Sequence, residues 1–84
     1  MKVSKEPLYI SFETIYDTIY MFINDNQSYK IVDYLKYILN GNFDNTTLKS
    51  VLVVTKSFKS DKEIFKYREE IKQTLESRLG EVLV

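Results

Sequence analysis

Ile64, Tyr67, Ile71, Leu75, Leu79 and Val82 recur every three or four residues, the interval at which an α-helix returns to one face. Ser60-Asp61-Lys62-Glu63 stands in front of this stripe as a capping box, in which Ser60 and Glu63 each satisfy a free backbone N–H at the helix start. Lys66–Glu70 and Lys72–Glu76 are opposite charges four apart, which suits a solvated outer face. Gly80 stands where the helix can end. A helix of this extent makes a rod of about 30 Å, as long as a small domain is wide. Its far end therefore needs more cover than three shorter neighbours offer.

The rest of the chain carries the same period in shorter blocks. Phe12, Ile15, Ile19, Phe22 and Ile23 share one helical face, with Glu13, Thr14, Asp17 and Thr18 opposite. Asn24-Asp25-Asn26-Gln27 interrupts the pattern with turn-forming residues. Ser28 is placed to cap a second helix from Tyr29 to Leu39, whose stripe is Ile31, Val32, Leu35, Ile38 and Leu39. Gly41 occupies the position of a left-handed C-terminal cap. In residues 47–58, Leu48, Val51, Leu52, Thr55 and Phe58 fit a helical stripe and Val53 alone falls outside it. The β-branched run at Val51–Thr55 pulls the other way, toward a strand.

These patterns predict a mainly α fold, a compact bundle of about four helices forming a single small domain over residues 1–84, with residues 1–7 as a flexible tail. The alternative is α+β. Leu8, Ile10 and Phe12 alternate with Tyr9 and Ser11 as in a half-buried strand, so residues 8–12 could pair with 50–56 beside three helices.

Composition narrows function by exclusion. The chain has no His and no Cys, which removes histidine general bases, thiol nucleophiles and disulfides, together with the commonest metal ligands. Two glycines, at 41 and 80, cannot write a phosphate-binding loop or a dinucleotide fingerprint. Asn40, Asn42 and Asp44 alternate like the start of a calcium loop, but the glycine and glutamate that such a loop needs later are Asn45 and Val51 here. No enzyme activity, cofactor, metal or small-molecule substrate is expected. The opening MKVSKEPLY lacks the apolar core of a signal peptide, and no apolar run is long enough to span a bilayer. A cytoplasmic protein is expected, in the host cytoplasm if its source is viral. The chain also lacks Ala while Ile, Lys, Tyr and Asn are plentiful, a bias that fits an AT-rich genome such as that of a phage, an archaeal virus or a low-GC bacterium.

Two readings of function survive. The first is a non-catalytic protein-interaction or regulatory module that forms a homodimer and binds another protein. A chain of 84 residues has a thin core, and small domains without disulfide or metal often gain stability by association. Tyr29 and Tyr37 fall on the polar face of the second helix, and Met21 lies opposite the apolar arc of the first. With Leu79 and Val82 at the end of the long helix, these are the candidate interface residues.

The second reading is a helix-turn-helix built from residues 28–59, which hold five lysines and two acids. Thr46, Thr47, Lys49, Ser50, Lys56 and Lys59 would then face the groove of a nucleic acid. Against it, the net charge is zero, with twelve basic and twelve acidic residues. The connection from Asn40 to Asn45 also reads as longer than the turn of about three or four residues that the motif uses.

Overall fold

The computed structural model describes residues 6–80. Within them the chain folds into α1 (Phe12–Asn24), α2 (Tyr29–Asn40), α3 (Asn45–Ser57) and α4 (Lys62–Leu79), and no strand forms among the described residues. The mainly α expectation holds and the α+β alternative does not. Residues 50–56 lie inside α3, because burying Leu48, Val51 and Val54 along a helical stripe outweighs the strand preference of its β-branched residues. Val53, the residue that fits no stripe, is half exposed. Of the 8–12 segment only Leu8 bridges in parallel to Phe43, its N–H donating to Asn42 O at 2.7 Å and its carbonyl accepting from Asp44 N at 2.9 Å.

α2 and α3 form the middle of the bundle. Each packs against both α1 and α4, while among the described residues the backbones of α1 and α4 are not neighbours. The core between them is continuous: Ile15 and Ile19 from α1, Ile31, Leu35 and Ile38 from α2, Leu48, Val51 and Val54 from α3, and Ile64, Ile71 and Leu75 from α4. Aromatic rings close its edges. Tyr16 packs between Phe12 and Phe58, at centroid distances of 5.9 and 4.8 Å, and Phe22 meets Tyr34 edge-on at 6.0 Å.

The helix ends differ from expectation in three places. Ser28 is itself in the helical conformation and makes no side-chain cap bond. The chain has already reversed at Asn26, with φ of 57°, and the first α2 amides donate to Gln27 O and Ser28 O as i→i+3 bonds, so the hydroxyl has no free donor to serve. Gly41 is extended rather than left-handed. A side chain there is excluded by space, since a Cβ would lie 2.8 Å from the Phe43 ring and 2.9 Å from Tyr37 O. Asp61, not Ser60, caps α4: its Oδ1 accepts from Glu63 N at 2.9 Å and Ile64 N at 3.2 Å. A carboxylate is the stronger acceptor, and its charge suits the positive end of the helix dipole. Gly80 does end α4, in the left-handed conformation with φ of 72°. Residues 1–5 of the expected tail lie outside the described residues. Glu6 O accepts from the Asn42 side chain at 3.5 Å.

Candidate interaction surface

Of the expected protein-interface residues, Met21, Tyr29 and Tyr37 are exposed but scattered. Met21 is 59% exposed on α1, and Tyr29 and Tyr37 are 64% and 63% exposed at opposite ends of α2. Tyr37 is not free-standing: its ring meets the edge of Phe43 at 5.6 Å, beside the Leu8 bridge. Leu79 is half-buried and packs against the core. Val82 lies outside the described residues.

The nucleic-acid set divides. Thr46, Lys49, Lys56 and Lys59 are exposed. Ser50 is half-buried, its hydroxyl donating to Thr46 O at 3.0 Å. Thr47 is fully buried and cannot reach a ligand. Its Oγ1 accepts from Ile10 N at 3.0 Å and donates to Ile10 O at 3.4 Å, so it ties the N-terminal segment to α3. Asp44 caps α3 through Thr47 N at 2.8 Å, which sets the helix phase and turns Thr47 inward. α2 ends at Asn40 and α3 begins at Asn45, so residues 41–44 make a shorter connection than the sequence suggested.

The α2–α4 face holds two clefts, of about 160 and 430 Å³, lined in part by residues that make polar contacts across it. Lys36 Nζ lies 3.7 Å from Glu70 Oε2 and 5.3 Å from the centre of the Tyr67 ring. Glu70 therefore turns across to α2 rather than pairing with Lys66 along its own helix. Arg78 donates to Leu39 O and reaches Phe43 O at 3.5 Å, covering the carbonyl end of α2. A cation at that end satisfies orphan acceptors and complements the negative end of the helix dipole.

The α3–α4 face is the more apolar of the two. A groove of about 170 Å³ runs between the two helices, with Leu52, Ile64, Phe65 and Ile71 providing its apolar lining. Lys56, Lys59, Arg68 and Lys72 stand on its rim with the carboxylate of Glu69. Among the described residues no ion pair joins a carboxylate to any of the four rim cations. Phe65 is 55% exposed, and the Arg68 guanidinium lies over its ring at 4.0 Å while donating to Phe65 O.

On α1 the outward stripe is of the opposite sign. Glu13, Asp17, Tyr20 and Met21 are all exposed on the side away from Ile15 and Ile19. No Lys or Arg occurs from Glu6 through Tyr29. Among the described residues no group of three or more carboxylates is placed to hold a metal ion, and no helix is long and apolar enough to cross a membrane.

Comparison with protein-family models, with curated proteins and with solved structures returns no match. The surface must therefore be read from its own chemistry. Sequence reasoning missed the groove and Phe65. The available signal was Phe65, an aromatic next to Ile64 and so about 100° round the helix from the buried face.

Proposed function

We propose that this chain is a small non-catalytic interaction module that associates with itself and presents its remaining surface to another protein in the cytoplasm, of a host cell if its gene is viral. One observation carries the reading. Every helix leaves a large apolar side chain at half exposure or more: Tyr20 and Met21 on α1, Tyr29 and Tyr37 on α2, Val53 on α3 and Phe65 on α4. Single exposed apolar residues are ordinary, but aromatics and methionine on several faces of so small a bundle are the composition of contact surfaces. The lack of His and Cys supports a role without covalent chemistry.

Light scattering on the eluting protein tests the reading. The expected result is a mass that rises from monomer with concentration, and a weaker rise for Met21→Ser. A strict monomer at the highest soluble concentration removes self-association.

A second reading, nucleic-acid binding by α2 and α3, gains support from the connection at residues 41–44, which fits the turn of about three or four residues found in helix-turn-helix motifs. It loses Thr47 to the core, and α3 is wedged between α1 and α4 along its buried side. Only its outer face, with Thr46, Lys49, Lys56 and the following Lys59, is left to meet a groove. A shift of duplex DNA at low salt that disappears steeply as salt is added would establish it.

A further inference from the structure

We propose that the acidic ridge of α1 on one copy of the chain seats in the basic-rimmed groove between α3 and α4 of a second copy. This rests on the self-association reading above and names the two surfaces that meet. The groove presents Lys56, Lys59, Arg68 and Lys72 against one carboxylate, Glu69, around an apolar lining. The ridge presents Glu13 and Asp17 one turn apart, then Tyr20 and Met21 on the following turn. Opposite charges therefore meet at the rim while two large side chains are available for the apolar floor. Such complementarity steers encounter and fixes register.

Size favours side chains over a small ligand. The groove holds about 170 Å³, whereas small-molecule sites typically hold roughly 300–1,000 Å³. That is room for an anchor such as Met21 or Tyr20. A nucleic acid would meet the same cations, but one face of the Phe65 ring already carries Arg68 at 4.0 Å, which denies a base that stacking surface. Within one chain the backbones of α1 and α4 are not neighbours, and the ridge points away from the core, so ridge and groove meet between molecules. Two different patches that meet reciprocally about a two-fold axis make a closed dimer, and head-to-tail contact instead builds rings if the rotation closes and short filaments if it does not.

Sedimentation velocity on the full chain tests this at about 0.1 M and about 1 M salt, between which the screening length falls from about 10 Å to about 3 Å. The wild-type chain is expected to associate more weakly at the higher salt. Glu13→Lys with Asp17→Lys in one variant, and Lys59→Glu with Lys72→Glu in another, are each expected to weaken association roughly tenfold or more. Mixing the two variants is expected to restore it, since reversed ridge then faces reversed groove and unaltered faces unaltered. Helical circular dichroism of each variant alone establishes that both fold. Association unchanged in both variants, or a mixture that fails to recover, overturns this pairing and leaves self-association standing. A wild-type chain monomeric at both salts overturns both. Duplex DNA retarded by the wild-type chain but not by the groove variant assigns the groove to nucleic acid and overturns the proposal.

Discussion

Thr46 and Thr47 are adjacent, identical letters with opposite fates: one is solvated, the other has no exposed surface. The difference comes from the Asp44 cap, which fixes where α3 begins and therefore which threonine turns inward. Once inside, the Thr47 hydroxyl needs partners, and it finds both in the backbone of Ile10, 37 positions away. Nothing in the local pattern around residue 47 announces that bond, which is why both threonines read as polar surface in the sequence. Thr47→Val keeps the shape and removes the hydroxyl, leaving the Ile10 N–H without its acceptor. The expected cost is about 1–3 kcal/mol, read as a lower urea midpoint at unchanged slope. Faster amide exchange at Leu8 and Asp44, whose bridge lies next to this bond, is expected to accompany it.

Helices were legible where their signal was periodic. The stripes at Ile15/Ile19, Ile31/Leu35/Ile38 and Ile64/Ile71/Leu75 are the buried residues of α1, α2 and α4, because burial on a helix follows its 3.6-residue turn. Helix ends were less legible, since several polar residues compete for each cap and backbone geometry chooses among them. Ser60 and Asp61 illustrate this. The two stand side by side before α4, and the carboxylate accepts from two of the orphan amides. Asp61→Ala is expected to cost about 1 kcal/mol of stability and Ser60→Ala close to none. Denaturant melts of the two variants compare the sites directly, and the reverse order contradicts the assigned cap. The groove was not legible at all. It arises only where the outer edges of α3 and α4 lie side by side, and the sequence of either helix alone says nothing of that alignment.

For the molecule as a whole, the arrangement of α2 and α3 between α1 and α4 has an energetic counterpart. Ile19 on α1 and Ile71 on α4 are both buried, yet the backbones of their helices are not neighbours. Ile19→Val and Ile71→Val are each expected to cost about 0.5–1.5 kcal/mol. In dilute solution the double variant is expected to lose their sum to within about 0.5 kcal/mol, as distant sites do; a larger departure shows that the middle pair of helices transmits strain. At concentrations where copies assemble, the same thermodynamic cycle acquires a further meaning. Two helices whose backbones are not neighbours inside one molecule gain a direct route for exchanging free energy when a neighbouring copy brings them together. A coupling that is absent on dilution and grows with concentration is then a label-free gauge of how many copies are in contact.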